Sequence, residues 1–308
     1  MKMDSAFDLI IGLSLTGIAW RIIQARDHFQ AIVLFITFGL LLSLAWTRLN
    51  SPDIAIAEAA VGAGLAGVLL MDTLGFMSSS RKQSKPSTSI PLLGACICLA
   101  GLTAYSILYI PVDFHGLSSE VQSALPQSGL KHPVTAVLLD FRGYDTWLEL
   151  GVLLAAVLGV LCLGKTETIN DSSLSASAEP VESWVIKILL PLIILIGGYL
   201  LWLGAFAPGG AFQAGVVLAA GGVMLWQAGH PFLRLIPRLW RQIIMCAGFA
   251  SFLVLALWSL LYTEQLLTHP ENKIWILGVE YAATLSIAMC LISLVSGSPA
   301  RKRKYKKQ

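Results

Sequence analysis

Apolar residues gather along this chain in long blocks separated by short polar stretches, with approximate limits at 5–23, 28–47, 53–76, 90–111, 145–164, 183–206, 210–229, 240–263 and 272–296. A bilayer core is about 30 Å thick and an α-helix rises about 1.5 Å per residue, so each block is long enough to cross it. The pattern predicts an all-α, polytopic integral membrane protein with about nine transmembrane helices. The first block, "FDLIIGLSLTGIAW", carries Asp8, ends near Arg21 and is followed by no small-residue cleavage site. It is expected to remain as a helix and not to act as a cleaved signal peptide.

Positive charge tests this division, because cytoplasmic loops retain Lys and Arg and a wrong span count would scramble the alternation. One set of loops holds Arg21, Arg26, Arg81, Lys82, Lys85, Lys165, Lys187, Arg234, Arg238, Arg241 and the six basic residues of the tail "RKRKYKK". The other set holds only Lys2, Arg48, Lys131, Arg142 and Lys273. The asymmetry predicts an outside N-terminus and a cytoplasmic C-terminus. Between the blocks, "MSSSRKQSKPSTS" at 77–89 and the Ser-rich "KTETINDSSLSASAEPVE" at 165–182 have no apolar period. The second is expected to be a linker between two modules. Residues 112–144 contain "VTAVLLDF", too short to span and expected to form an interfacial or re-entrant helix.

Composition narrows the function. The chain is 56% hydrophobic and 13% charged with a mean hydropathy of +0.74, against about 25% charged residues in soluble domains. A soluble enzyme is excluded. The net charge of +3 resides in the basic tail, which leaves no basic face for nucleic acid. Cys96, Cys98, Cys162, Cys246 and Cys290 lie in apolar runs without metal-ligand spacing and are expected to be buried small residues. No metal, cofactor or catalytic constellation is expected, and none of the five His is assigned a role.

The remaining candidates are acidic residues in or beside spans, where an ionisable group is costly and faces protein or water. In "RLNSPDIAIAEAAVGAGLAGVLLMD", Ser51 and Pro52 start a helix, with Asp53 at its positive dipole end. Glu58 lies deeper, about 9 Å beyond Pro52. On an ideal helix Asp53 and Glu58 point about 140° apart and share one narrow path only if the helix is distorted. Gly62, Gly64 and Gly67 with their alanine neighbours offer a close-packing surface. In "LLDFRGYDTWLELGVLL", Thr146 and Glu149 fit a capping box, the alternative being a functional Glu149. Asp140, Arg142 and Asp145 form either an ion-paired mouth or a solvated turn. Glu280 lies near mid-span, with Tyr281 and Thr284 offering hydrogen bonds. "FAPGGAF" predicts a Pro-Gly-Gly turn whose amides either make a tight hairpin or hold an anion.

At these places the sequence resembles the multisubunit Mrp-type cation/proton antiporters and the related membrane-bound hydrogenases. "NSPDIAIAEAAVGAGLAG" resembles the MbhD module, similar to the C-terminal part of the large MrpA protein. "VLLDFRGYDTWLELGVLLAAVLGV" resembles the adjoining MbhE-like module. "LLPLIILIGGYLLWLGAFAPGGAFQAGVVLAAGG" with "LGVEYAATLSIAM" resembles the MrpB protein, the MnhB or MbhF family. The resemblance implies an MbhD/MbhE-like module over 1–164, the linker 165–182, an MnhB-like module over 183–298 and a basic tail over 299–308. It also implies a transporter subunit in a bacterial inner membrane that exchanges Na+ for H+ beside antiporter-like large subunits and small C/E/F/G-like subunits. The ion-translocation role carries onto Glu58, Asp53, Asp140 and Glu280, with Glu149 beside them. The turn departs from the MnhB-like pattern, which begins with a His-Asn pair and has a third Gly. No span carries the mid-span Lys of the large subunits, so one part of a longer pathway is expected. The alternatives are a pumping subunit of a redox complex and a non-conducting scaffold.

Overall fold

The computed structural model describes residues 2–74, 90–110, 116–163, 180–262, 267 and 273–297. All regular structure among them is helical. The helices are α1 (Lys2–Gln24), α2 (His28–Arg48), α3 (Pro52–Leu74), α4 (Ile90–Leu108), α5 (Ser118–Ser128) and α6 (Pro133–Ala136). They continue with α7 (Gly143–Leu163), α8 (Pro180–Leu203), α9 (Ala211–Gln227), α10 (Phe232–Leu235), α11 (Arg238–Tyr262) and α12 (Lys273–Gly297). Eight described helices are long and apolar enough to cross a membrane. The expected ninth, α9, has 17 residues, because the Pro-Gly-Gly turn occupies the positions before it. Residues 77–89, most of the expected linker and the basic tail lie outside the described residues; α8 already begins at Pro180.

Two compact units divide the chain, one of residues 1–76 with 125–308 and one of residues 77–124. In the smaller unit α4 hides its hydroxyls within itself, as apolar surroundings require. Thr103 donates to the Leu99 carbonyl and Ser106 to that of Leu102. The Tyr105 and Tyr109 rings lie 4.5 Å apart, centroid to centroid.

The larger unit is organised around α12, which packs on α9, α11 and α7. Buried inside the chain is 67% of its most apolar window, against 6% for α1 and for α2, and this makes it the central helix. Small residues allow the approach. A Cβ at Gly215 would sit 2.8 Å from Ile287 and 3.0 Å from the Thr284 carbonyl, and one at Gly248 would sit 2.8 Å from Ser286. Around these contacts Val216, Ala219, Phe252, Leu255, Ile287, Leu291 and Val295 form the core. Lipid is as apolar as a protein interior, so such close van der Waals packing is what holds membrane helices together.

On the N-terminal side, α2 packs against α3 where Gly39 meets Ala63 and Gly67 meets Ile36, and Ser43 donates to the Ala55 carbonyl at 2.6 Å. Asp8 on α1 is ion-paired with Arg48 at the end of α2, at 2.8 Å. The cysteines correct an expectation: Cys290 is buried, but Cys96, Cys98, Cys162 and Cys246 are exposed on the chain. In a membrane helix apolar character reports non-aqueous surroundings and not burial within the chain itself.

The packing predicts that Gly215→Val wedges α9 from α12 and destabilises the chain by about 1 to 3 kcal/mol, the usual cost of overpacking. Gly12→Ala, with nothing within 4 Å of the new Cβ, should not lower the melting temperature of the purified protein. Equal melting of both variants would contradict the packing.

Candidate functional site

Helix α3 is not α-helical throughout. Pro52–Ala57 is α, Glu58–Leu65 is π-helical and Ala66–Leu74 is α again. Small residues fill the widened stretch, and such segments recur at functional sites. Glu58 opens it, and its carboxylate folds over Gly62, where even a methyl group would collide with it. The distortion begins at Glu58, so it does not rotate Asp53 and Glu58 onto one face.

Ser51 stands at the cap position of α3 but makes no side-chain cap. Asp53, buried at 8% exposure, turns away from the start of its own helix. Its Oδ1 accepts the Gly209 N–H at 2.9 Å, across 156 residues of sequence. Its Oδ2 lies 3.6 Å from His132 Nε2. The Pro-Gly-Gly segment is therefore both a turn and an anion holder, the anion being the carboxylate of Asp53. Glycine is required here: Gly209 and Gly210 have φ of +156° and +117°, and a Cβ on Gly209 would sit 2.6 Å from the Leu200 carbonyl.

The expected short helix before α7 is present as α6 followed by a π-helical turn, Val137–Phe141, which carries Asp140. Arg142 pairs with Asp145 at 2.6 Å, closing the turn with an ion pair. The capping box is not formed. Helix α7 starts at Gly143, three residues before Thr146, so that hydroxyl is already inside the helix and donates to the Leu138 carbonyl at 2.8 Å. Glu149 is left to face outward from α7.

It faces a cleft with about 540 Å³ of empty space, open mouth included. Glu149, Glu280, Gln213, Thr135 and Thr146 supply the polar lining, with the Gly209–Gly210 backbone, and Leu138, Leu150, Phe212 and Ile287 supply apolar walls. Glu280 is 3% exposed, whereas Glu149 is exposed. Thr284 bonds the backbone carbonyl of Glu280 and not its carboxyl, and Tyr281 is exposed, so neither expected partner reaches that carboxyl. The cleft thus brings Glu149 and Glu280 together from helices α7 and α12. Asp53 lies behind its Gly209 wall, and Glu58 and Asp140 do not line it.

Three participants escaped the sequence reading: His132, Thr135 and Gln213. His132 Nδ1 lies 3.2 Å from Thr135 Oγ1, and Thr135 donates to the Gly204 carbonyl at 2.5 Å. Nothing in "KHPVTAV" signals these roles, since their partners lie far along the chain. Gln213 is buried on a helix otherwise free of long polar side chains until its last residue, and that isolation was the available signal. Among the described residues no cluster of three or more His, Cys, Asp or Glu suits a metal ion.

Residues 13–79 match the MbhD family model, described as the D subunit of MBH, and residues 181–303 match "Domain related to MnhB subunit of Na+/H+ antiporter". The A/B subunit of a probable K(+)/H(+) antiporter of Rhizobium meliloti is 22% identical over 291 residues, 81% of this chain and 29% of that protein. A "Putative antiporter subunit mnhA2" of Staphylococcus aureus is 24% identical over 161 residues, 51% of this chain and 20% of that protein. Among solved structures, a chain in the "Structure of Mrp complex from Dietzia sp. DQ12-45-1b" shares the fold with a TM-score of 0.74 and 22% identity. The match covers 94% of this chain and 34% of that one. The present chain therefore spans about a third or less of the length of these proteins.

Exposure orders the cleft for a direct test. In a background lacking the native cysteines, Glu149→Cys in the detergent-purified chain should react with a small water-soluble thiol reagent faster than Glu280→Cys. The reverse order would contradict the burial described.

Proposed function

We propose that this chain, a fused MbhD/MnhB Mrp-type module, is one membrane subunit of a multisubunit monovalent cation/proton antiporter. The carrying observation is the cleft in which Glu280 and Glu149 converge from two helices among apolar walls. A carboxyl in a poorly hydrated cleft holds either a proton or a cation, and exchanging one for the other is the elementary step of antiport. Gln213, Thr135, Thr146 and the Gly209–Gly210 backbone offer neutral oxygens that replace part of a cation's hydration shell. The work is transport and not catalysis.

Sodium is the proposed cation, as the description of the matching MnhB domain suggests. Potassium is the second reading, favoured by the name of the Rhizobium meliloti relative. Glu58 and Asp140, which lie off the cleft on π-helical segments, extend the path toward neighbouring subunits. Those neighbours are proposed to be antiporter-like large subunits and small C/E/F/G-like subunits, by the resemblance to Mrp-type proteins. We place the complex in the bacterial inner membrane, as the resemblance to antiporter subunits suggests, with the N-terminus outside and the C-terminus in the cytoplasm from the Lys and Arg asymmetry. The module boundaries follow the resemblance: 1–164 and 183–298, joined by 165–182.

Gln is nearly the size of Glu and keeps a donor and an acceptor but cannot exchange a proton. Glu280→Gln and Glu58→Gln should each leave the complex assembled and abolish cation-dependent proton movement in everted vesicles, while Glu280→Asp retains part of it. Full antiport by both assembled Gln variants would leave only a scaffold role. For topology, an impermeant thiol reagent applied from outside should label a single Cys at Gln127 but not one at Ser84 or Ser175. Reverse labelling would overturn the orientation.

A further inference from the structure

Asp53 and His132 face each other in a way the acidic path does not require. Each side chain is nearly buried, at 11% and 12% exposure, and His132 Nε2 lies 3.6 Å from Asp53 Oδ2. The hydrogen bonds around them decide where protons sit. A hydroxyl has one proton to give, and Thr135 gives its proton to the Gly204 carbonyl. Toward His132 Nδ1, 3.2 Å away, Thr135 Oγ1 is therefore an acceptor, so Nδ1 carries hydrogen. In a neutral ring the other nitrogen is then a bare lone pair. That lone pair would face a carboxylate oxygen, an arrangement of two acceptors 3.6 Å apart.

One proton resolves the conflict. It sits either on Nε2, giving imidazolium against carboxylate, or on Asp53, giving a carboxylic acid that donates to neutral imidazole. Both forms have zero net charge, and loss of the proton leaves the pair at −1. In both forms Asp53 Oδ1 still accepts the Gly209 N–H. We propose that Asp53 and His132 form a one-proton binding site, distinct from the carboxylate cleft and sharing a wall with it. This rests on the antiporter reading for its role, not for its chemistry.

The shared wall consists of Thr135 and Gly209, which line the cleft and bond the pair. A proton arriving on the pair adds one positive charge beside the cleft and weakens the hold of Glu149 and Glu280 on a cation. A cation in the cleft in turn disfavours the proton. This reciprocal repulsion is the coupling that antiport needs. The elements around the pair carry other charged groups: Arg48, paired with Asp8; Glu58, folded over Gly62; Lys131, over the Phe206 ring; and Asp140, Glu149 and Glu280. None of these is recorded between His132 and Asp53, and residues 200–227 contain no titratable group with pKa below that of tyrosine.

The test is 15N NMR of histidine-labelled chain in the purified complex, with the spectrum of His132→Gln subtracted to isolate one ring among five. Nδ1 should carry hydrogen, and the one exchangeable proton should appear on Nε2 or, by 13C NMR of the carboxyl carbon, on Asp53. Asp53→Asn retains an acceptor for Gly209 and offers an amide donor to Nε2. In that variant the ring should stay neutral where the parent ring carries both protons, and everted vesicles should lose cation-dependent proton movement. A ring protonated at Nε2 with Nδ1 bare, a pair that takes up no proton on Nε2 or Asp53, or an equal non-zero doubly protonated fraction in Asp53→Asn, overturns the proposal even if antiport is intact. The expected ring behaviour in a complex that moves no cation would overturn the antiporter reading and leave the proton site standing.

Discussion

Backbone that leaves the helix between two membrane spans must find partners for its N–H and C=O groups, and the turn from Gly204 to Gly210 imposes that requirement on the larger unit. Gly210 donates to the Leu200 carbonyl, Ala207 to that of Leu203, and Gly209 to the Asp53 carboxylate. The carbonyls of Gly204 and Ala205 accept from Thr135 and from the Lys131 N–H. The partners come from three separated parts of the sequence, around residues 53, 131–135 and 200–203. One non-helical turn thus gathers the N-terminal helices, the short helix α6 and the C-terminal bundle. Without Asp53 in place the Gly209 amide would lose its acceptor, a cost of about 1 to 3 kcal/mol for a buried group.

The same turn separates two kinds of chemistry. On one side lies a cleft with two carboxyls and several neutral oxygens among apolar walls; on the other lies a carboxyl–imidazole pair whose proton inventory is dictated by Thr135. Gly209 and Thr135 serve both sides. In the proposed exchange of ions the two sites would sense each other without merging, through the Thr135 and Gly209 groups that line the cleft and bond the pair. Rigidity behind the wall comes from the glycine contacts of α9 with α12, which leave Gln213 and Glu280 little freedom to separate.

Much of the architecture was legible in one dimension. Eight of the nine expected spans, their approximate limits and the short helix before α7 follow from the lengths of apolar runs, because a bilayer of fixed thickness relates length to topology. The ninth, α9, is shorter because the Pro-Gly-Gly turn precedes it. Expectations about the acidic residues fared less evenly. Glu280 sits in a protein interior, as its mid-span position implied. The capping box at Thr146 and Glu149 failed because α7 begins earlier, at Gly143, after a π-helical turn that hydrophobic periodicity does not reveal. The four exposed cysteines show the same limit, since apolar sequence reports a non-aqueous environment without saying whether protein or lipid supplies it.

The sequence by itself determined an all-α membrane chain, its helices, its turn chemistry and the short set of ionisable groups placed where charge is costly. These depend on local composition and spacing. Only the tertiary structure decided that Glu149 and Glu280 share a cleft, that Glu58 and Asp140 do not line it, and that Asp53 meets His132 and Gly209. The reason is physical: rotation and register between packed helices are set by particular glycine contacts and by a turn with its own hydrogen-bond demands. Partners 79 and 156 residues apart leave no periodic trace in the chain.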